Sequence, residues 1–311
     1  MGSAREVVCV TGASSQLGVF LLPRLREAGF RVLALGRNAP LRPLDVADRV
    51  TWMRTGFLVD GERGDQVVRQ PPPDQLVSCG PLDLALRLVL RHPSLQRVVA
   101  FSSSSVLSKA DSKDRQERDR MAVMAADEEA LTIACADRGL PLLLLRPTLI
   151  YGCGMDRNVS LLAELAARFG LIPLAGAAGG LRQPVHADDL AALAVLALQS
   201  ARPVDAASAA SGGTTLTYRE MVERIAALQP RPVRLPGLPE GLLVALLWML
   251  SSMKAVRGAG PEMVRRQNQD LVFDDSALRL ALDWTPRPFD PRPEDFEVPE
   301  HCRALQLPLD R

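Results

Sequence analysis

The sequence VVCVTGASSQLGVFLLPRL, residues Val7–Leu25, decides the fold class. Glu6 to Val10 is apolar and rich in β-branched residues, as expected for a buried parallel strand. Gly12 and Gly18 then punctuate the chain, and residues from Gln16 to Ala28 have helical periodicity. The segment therefore predicts a strand, a tight turn and a helix.

The composition indicates one large α/β protein. Of the 311 residues, 47% are hydrophobic, which is enough for a large buried core. The formal net charge is +1, so binding to nucleic acid or another polyanion is not expected. The five cysteines form no CxxC pair and no N-terminal signal pattern is visible, so we expect a reducing, cytoplasmic setting and no metal site.

The longest apolar run, Gly241–Leu250, is shorter than the roughly 20 residues that span a bilayer. We therefore expect no integral membrane span. A buried or lobe-forming helix is the preferred interpretation of this run, and a helix that contacts a membrane surface is the alternative.

Strands and helices alternate along the first half of the chain, which is typical of a doubly wound parallel sheet. A long amphipathic helix is predicted from about Arg118 to Gly139. Pro23 lies inside the first predicted helix, where we expect a bend on the outer face. The strands predicted after the first are Arg31–Leu35, Val50–Met53, Gln75–Ser78, one from Arg97 and one from Pro141.

The first turn of such a sheet is the expected site for the pyrophosphate of a dinucleotide. Glycines allow the backbone to approach closely, and the helix N-terminus presents unpaired N–H groups. Gly12 and Gly18 occupy the outer places of the three-glycine spacing, and Ser15 stands at the middle one, where its hydroxyl can contact phosphate. A plain strand-to-helix connection is the alternative.

The end of the second strand bears on the choice between NAD and NADP. An NAD site has an Asp or Glu here for the ribose hydroxyls, whereas this chain has Gly36, Arg37 and Asn38. The Arg37 guanidinium can pair with a 2′-phosphate, which favours NADP, with NAD as the alternative. Arg37 can also be an ordinary surface arginine.

Four motifs, TGASSQLG, FSSSSV, LRPTLIYGCGMDRN and RQPVHADDLA, occur in the order and approximate spacing of the extended short-chain dehydrogenase/reductase superfamily. Over nearly its full length the chain resembles the NAD-dependent epimerase/dehydratase branch. The resemblance implies a Rossmann-like doubly wound sheet that binds NAD(P) in residues 1–150. It implies a small C-terminal substrate lobe in residues 151–311, with segments near 181–210 and 270–280 returning to the Rossmann core.

The resemblance also implies hydride transfer at a nicotinamide, commonly on a sugar joined to a nucleoside diphosphate. Ser103, three residues before Val106, stands at the position of the catalytic Ser or Thr. Four serines that only end a strand are the alternative. The implied cofactor contacts are Thr11, Gly12, Ser14, Ser15, Gln16, Leu17, Gly18, Arg37, Ser102, Arg146 and Pro147, and the implied substrate contacts are Asp156, Asn158, Arg182 and Gln183.

One element of the family pattern is missing. The family has a Tyr, and a Lys four residues later, on the helix after the serine run, and the ammonium lowers the pKa of the phenol. The only tyrosines here are Tyr151 and Tyr218, and neither is followed by Lys at that spacing. Lys109 and Tyr151 are the candidate replacements, and an exposed loop lysine and a packed tyrosine are the respective alternatives.

The fourth motif and the segment from Thr217 to Glu220 also predict structure in the C-terminal half. In the fourth motif, Asp188 or Asp189 is predicted to cap a helix. The resemblance implies that His186 ties the lobe to the core, and a role as a base is the alternative. Thr217 and Glu220 have capping-box spacing at the start of a lobe helix.

Two functional classes follow. The first is an NAD(P)-dependent epimerase/dehydratase-type oxidoreductase that acts on a nucleotide sugar or a related small molecule. The second is a catalytically altered NADP-binding sensor or assembly protein, like the atypical members of the superfamily. A homodimer is compatible with either class, because the long helix from Arg118 can supply part of a four-helix seam common in the superfamily.

Overall fold

The computed structural model describes residues 6–40, 42–56, 70–245 and 261–307. Its main sheet contains eight strands in the order β12-β7-β6-β5-β1-β2-β4-β3. All neighbouring strands are parallel except the pair formed by β3 and β4, which is antiparallel. The strands of this sheet are β1 Val7–Thr11, β2 Arg31–Gly36, β3 Leu44–Ala47, β4 Val50–Arg54, β5 Gln75–Ser78, β6 Arg97–Phe101, β7 Leu142–Pro147 and β12 Ala206–Ala210.

Helices cover both faces of this sheet. The helices whose bounds the structure gives are α1 Gln16–Glu27, α2 Leu82–Arg91, α3 Ser105–Ser108, α4 Arg115–Ala136, α5 Val159–Phe169, α6 Ala187–Gln199, α7 Tyr218–Ala226, α8 Pro261–Arg265, α9 Ser276–Leu282 and α10 Glu300–Arg303. Residues 240–245 are helical as well. Successive residues of β1 point to opposite faces, so Val8 and Val10 pack in the layer of α1 and α6. Val7 and Cys9 pack in the layer of α2 and α4. The predicted Rossmann-like α/β class is confirmed.

The predicted strands are confirmed, with small differences at their ends. In the main sheet, the strands β3 and β12 were not predicted, and neither was the helix α2 that packs on it. The sequence of β12, AASAA, has little strand preference, and this segment is extended because it pairs with β7 from Leu143 to Pro147. Helix α4 begins before the predicted start because Asp114 caps it by accepting hydrogen bonds from the N–H groups of Gln116 and Glu117.

Pro23 does not end α1, and its position corrects the prediction. The residue is buried rather than on the outer face of the helix. It lines a small cavity together with His186 and Asp188 at the start of α6. Burial of the pyrrolidine ring in this layer therefore accompanies the loss of one helical hydrogen bond.

A smaller lobe covers the carboxyl end of the sheet. It contains α5 and α7 and the two-residue strands β8 Ile150–Tyr151, β9 Leu174–Ala175, β10 Leu181–Arg182, β11 Val185–His186, β13 Leu216–Thr217 and β14 Gly237–Leu238. Its apolar core includes Val159, Leu162, Met221, Ile225 and Phe289. Helix α6 and β12 belong to the layers of the main sheet although they follow the first lobe segments. The domain boundary at residue 150 stays a prediction.

The C-terminal segment returns to the main sheet. Trp284 is 3% exposed, and its indole N–H donates to the Asp189 carbonyl at 3.1 Å. The indole N–H of Trp52, on β4, donates to the carbonyl of Leu305 at 2.8 Å. The chain near Leu305 therefore packs against the half of the molecule that contains the glycine turn.

The apolar run from Gly241 lies partly outside the described residues, because 246–250 are not among them. Among the helices that the structure describes, none is long and apolar enough to cross a membrane.

Candidate functional site

The turn between β1 and α1 requires glycine at two positions. Gly12 has a φ of +61°, and a Cβ there would lie 2.5 Å from the carbonyl carbon and oxygen of Cys79. A Cβ on Gly18 would lie 2.3 Å from the carbonyl oxygen of Ala13. The turn therefore packs backbone against backbone, which is the arrangement that the dinucleotide fingerprint needs.

The side chains of the turn differ in their burial and in their hydrogen-bond partners. Ser15 is the N-cap of α1, and its Oγ accepts from the Gly18 N–H at 3.2 Å. Thr11 is fully buried and its hydroxyl bonds to that of Ser78, so only its backbone faces the turn. Leu17 is buried and Ser14 is exposed.

Gln16 joins the turn to the lobe. Its side-chain amide donates to the carbonyl of Gly152 at 2.7 Å. Gly152 follows β8, so this bond connects the start of α1 with the segment after the sixth predicted strand. Gln16 also lines a polar cavity at the carboxyl end of the sheet, described below.

The end of β2 is tightly packed around Gly36. A Cβ on Gly36 would lie 3.0 Å from the Trp52 ring and 3.5 Å from the Cδ1 of Leu307. An Asp or Glu at this position would therefore meet an apolar wall. Arg37, the next residue, is exposed just after the carboxyl end of β2.

A cavity of about 720 Å³ lies where the carboxyl ends of β6 and β7 meet the lobe. This is the usual ligand position in an open parallel sheet. Basic side chains outnumber acidic ones in its walls. Its described walls include Gln16, Ser103, Ser104, Ser105, Ser108, Lys109, Asp114, Glu117, Arg120, Thr148, Ile150, Asp156, Arg157, Asn158, Arg182, Gln183, Tyr218, Glu262 and Arg266.

The serine run supplies one wall of this cavity. Ser103 is half-buried there, and its Oγ accepts from the Ser105 N–H at 3.1 Å. The Oγ of Ser102 is buried and has no hydrogen-bond partner among the described residues. The backbone N–H of Ser102 donates to the Leu145 carbonyl at 2.7 Å, which fixes the run at the end of β6.

Lys109 belongs to a charge cluster centred on Glu117. The Glu117 carboxylate lies 3.0 Å from the Lys109 Nζ and 2.7 Å from a terminal nitrogen of Arg266, and it accepts from the Ser112 hydroxyl at 2.6 Å. Burial raises the pKa of this carboxyl, but the bonds from Arg266, Ser112 and Lys109 outweigh it and lower the pKa to about 2. Lys109 is therefore the cation of an ion pair, which is neither the desolvated base nor the exposed loop lysine considered from the sequence.

Tyr151 is packed in the core of the lobe. It is 2% exposed, and its ring stands edge-on to those of His186 and Phe289, with centroids 4.9 and 5.1 Å away. Burial raises the pKa of its phenol. Because Tyr151 is not among the described residues of the cavity wall, the geometry favours the packed alternative over an acid-base role.

Arg146 and Pro147 connect β7 to its neighbours. The Arg146 guanidinium contacts the Glu128 carboxylate on α4, with the shortest N to O distance 2.6 Å. The pair uses Nε and Nη2, so a cofactor contact through this guanidinium would have to come from its other terminal nitrogen, Nη1. Pro147 is buried, and its carbonyl accepts from the Ser104 N–H at 3.0 Å.

The four predicted substrate contacts all lie in the cavity wall. The Asp156 carboxylate, however, accepts from the N–H groups of Asn158 and Ser160 at 2.9 and 3.0 Å, so it orders the start of α5. Asn158 itself is exposed at the rim. The Gln183 amide donates to Thr215 at 3.3 Å and accepts from the Phe273 N–H at 2.9 Å.

Arg182 is similarly committed to the protein. It is 4% exposed, and its terminal nitrogens donate to the carbonyls of Leu181 and Gln269, both at 2.7 Å, and of Arg266. Its guanidinium also lies 5.3 Å from the ring centroid of Tyr218. Burial lowers the pKa of Arg182.

His186 caps α6, which corrects the prediction of an aspartate cap. Its Nδ1 accepts from the Asp188 N–H at 3.0 Å, and its Nε2 lies 3.3 Å from Asp295. The two aspartates of the first turn instead pair with arginines. Asp188 contacts Arg24 and Arg287, and Asp189 contacts Arg287.

Sequence reasoning missed several residues of the cavity wall. Glu117 and Arg120 come from α4, where the family pattern places its Tyr and Lys one turn apart, and Met124 stands one turn after Arg120. Arg266 precedes a stretch that carries no motif. Tyr218 carried a signal, the capping box of Thr217 and Glu220, which the structure confirms, but that signal predicts a helix start rather than a wall residue.

The doubly wound sheet, the glycine turn and the cavity beside the C-terminal lobe together form a Rossmann-like α/β architecture. No protein-family model and no curated protein matches the sequence. Solved structures do share the fold. MoeE5 in complex with UDP-glucuronic acid and NAD is 21% identical, with 90% of this chain and 94% of that chain covered and a TM-score of 0.63.

Two further structures show the same architecture. The dTDP-glucose 4,6-dehydratase from Bacillus anthracis str. Ames in complex with NAD is 14% identical, with 97% of this chain and 100% of that chain covered and a TM-score of 0.66. The UDP-N-acetylglucosamine 4-epimerase from Bacillus cereus is 15% identical, with 98% of each chain covered and a TM-score of 0.63. The chain therefore has the fold of NAD-dependent epimerases and dehydratases along nearly its whole length.

Proposed function

We propose that this protein binds NADP(H) at the β1–α1 turn and acts as an epimerase/dehydratase-type oxidoreductase on a nucleotide sugar in the cavity. One observation carries the proposal. Gln16, on the first turn of α1, and Ser103, after β6, line the same cavity at the carboxyl edge of the sheet. A dinucleotide on the turn would therefore place its nicotinamide beside the cavity.

The glycine turn and the end of β2 fit the NADP dinucleotide. Gly12 and Gly18 leave space for backbone alone, and the N-terminus of α1 attracts a pyrophosphate. Gly36 lacks the acidic side chain that would bind the ribose hydroxyls of NAD. Arg37 is exposed beside it and can pair with a 2′-phosphate.

The charges of the cavity support an anionic substrate. The basic residues in its walls are Lys109, Arg120, Arg157, Arg182 and Arg266, and the acidic ones are Asp114, Glu117, Asp156 and Glu262. Glu117 and Asp156 are paired with cations or N–H groups of the protein, and Lys109, Arg266 and Arg182 are paired within it as well, so the walls keep a small net positive charge. A nucleoside diphosphate would add the negative charge that such a wall favours, and MoeE5 binds UDP-glucose and UDP-glucuronic acid.

The nicotinamide supplies hydride transfer, and the chain supplies orientation. The Ser103 hydroxyl can hydrogen-bond the reacting oxygen of the sugar from the sheet side of the cavity. The Glu117 cluster fixes the positions of the Lys109 and Arg266 side chains, whose positive charges attract an anionic substrate.

The experiment that tests the cofactor is a fluorescence titration with NADPH and with NADH. Arg37→Ala is expected to weaken NADPH binding about 10- to 100-fold, because it removes charge-assisted hydrogen bonds to the 2′-phosphate. NADH affinity should not change. Arg91→Ala removes an exposed arginine at the opposite edge of the sheet, at the end of α2, and is the matched control.

A second candidate function is cofactor binding without turnover. Both residues that could replace the missing Tyr and Lys already have structural roles, which favours this function. Lys109 is ion-paired, and Tyr151 is packed in the lobe core. Incubation with UDP-glucose and NADP⁺, followed by NADPH absorbance and analysis of the sugar nucleotide, separates the two. Tight NADPH binding with no change in UDP-glucose or in a panel of other sugar nucleotides would favour the binding protein.

A further inference from the structure

The first residue of α1, Gln16, contacts two different parts of the molecule. Its backbone N–H lies at the β1–α1 turn and has no acceptor among the described residues, as is usual for the first N–H groups of a helix. Its side-chain amide donates to the carbonyl of Gly152 at 2.7 Å, across 136 positions of the sequence. The backbone of Gln16 is therefore free to bind a ligand at the turn while its side chain is bound to the lobe.

Gly152 begins the rim segment, residues 152–158, which leads from β8 to the start of α5. Gly152, Cys153 and Gly154 have φ values of +111°, +55° and +71°, in the region that residues with a side chain rarely adopt. This backbone conformation must be held by contacts with the rest of the protein. The rim segment contributes three residues to the cavity wall, Asp156, Arg157 and Asn158.

Gln16 provides a polar contact that nothing else in the described chain replaces. Among the described residues, it is the only one outside 152–160 whose side chain hydrogen-bonds the rim segment. Gly154 packs against the backbone of Phe296, where a Cβ would lie 2.2 Å from the carbonyl oxygen. Asp156 lines both the cavity and a second one, of about 720 Å³, whose walls include α5 and Phe296. The rim segment therefore has open space beside it, and the Gln16 bond fixes the position of its first residue.

Resting on the function proposed above, we infer that Gln16 is a positioning residue that couples a dinucleotide at the turn to the rim segment of the cavity. Its backbone N–H donates to the pyrophosphate, and its side chain keeps the Gly152 carbonyl in place. Binding of the dinucleotide fixes the first residue of α1 and, through it, the rim segment. The dinucleotide fingerprint leaves this position variable, so the coupling belongs to the glutamine of this chain. The cavity wall is thus completed when the cofactor is bound.

Amide hydrogen exchange measured by mass spectrometry, with and without saturating NADPH, tests this coupling. In the native protein, NADPH is expected to slow exchange at the β1–α1 turn and also in the rim segment. The effect in the rim segment should be about 5-fold, the factor that one hydrogen bond represents. Gln16→Met has a side chain of similar length but no amide to donate to Gly152. In this variant NADPH should slow exchange at the turn and leave the rim segment unchanged.

Two further variants identify the lost hydrogen bond as the cause. Ser94→Ala is the matched control, because it also removes a hydrogen bond from a side chain to a backbone carbonyl, that of Pro73. These two residues precede β6 and β5, at the amino end of the sheet, so this variant should respond to NADPH like the native protein. Gln16→Lys keeps a donor for the Gly152 carbonyl, and NADPH should again slow exchange in its rim segment.

The native protein separates this inference from the proposed function. If NADPH slows exchange at the turn but not in the rim segment, the inference is overturned and the cofactor proposal stands. If NADPH slows exchange at neither place and does not bind in the fluorescence titration, the proposed function itself fails. An undiminished effect in the rim segment of Gln16→Met would overturn the inference as well. An effect at both places in the native protein, and at the turn alone in Gln16→Met, supports both.

Discussion

Glu117→Gln is expected to lower the free energy of unfolding by about 3–5 kcal/mol, the usual effect of removing one member of a buried ion pair. The carboxylate is shared by Lys109, Arg266 and Ser112, and its side chain is only 11% exposed. Its loss leaves two cations close together without a counter-ion. Urea unfolding at neutral pH measures the effect. Glu129→Gln, an exposed position on the same helix, is the control and should change little.

The stabilisation by Glu117 is also expected to depend on pH. The pKa of Glu117 lies at about 2 in the folded protein and at 4.5 ordinarily. A lowered carboxyl pKa contributes stability that is present above pH 4.5 and is lost as the pH falls from 4.5 towards 2. The gap in unfolding free energy between the native protein and Glu117→Gln should therefore narrow over that range. A gap that is absent at neutral pH, or constant down to pH 2, would contradict the ion cluster.

Gly12→Ala is expected to abolish NADPH binding and to destabilise the fold. The φ of +61° disfavours a side chain by about 1–2 kcal/mol, and the new Cβ would lie 2.5 Å from the Cys79 backbone. The β1–α1 turn must therefore move away from the end of β5, and its N–H groups move with it. NADPH titration and urea unfolding of the variant measure the two effects.

Gly139→Ala separates the two causes, because Gly139 has a φ of +60° and no atom within 4 Å of the new Cβ. The alanine at position 139 would have the unfavourable positive φ but no steric clash. Residue 139 follows α4 and is far in sequence from the β1–α1 turn. We expect Gly139→Ala to lose about 1–2 kcal/mol and to bind NADPH normally. If Gly12→Ala behaves like Gly139→Ala in both assays, the close approach of the turn to Cys79 does not matter for binding.

The fold was predictable where a segment's local pattern agrees with its environment. The strands β1, β2, β6 and β7 are continuous apolar runs, as strands buried on both faces must be, and they were identified from the sequence. The strand β12 has the sequence AASAA, whose residues do not prefer an extended backbone. Its conformation comes from the edge of β7, so only the assembled sheet reveals it.

Some features of the candidate site could likewise be identified from the sequence, and others only from the structure. The glycine turn was identified because the requirement for Gly12 and Gly18 is local and each residue type has one physical reason. The ion pair of Lys109 was not identified from the sequence. Glu117 reaches Lys109 only because the serine run and α4 pack side by side in the folded protein. The unpaired hydroxyl of Tyr218 is likewise a property of its surroundings. Sequence supplies the chemical groups, and packing decides which of them stay free.

The hydrogen bond between Trp52 and Leu305 has a consequence for protein synthesis. The two residues are 253 positions apart, so β4 emerges from the ribosome long before its acceptor exists. Until Leu305 is made, the Trp52 indole N–H lacks its partner and the neighbouring face of Gly36 lacks Leu307. Contacts between such distant segments form late in folding. The half of the sheet that contains the glycine turn is therefore translated early but is completed only after the segment around Leu305 has been made.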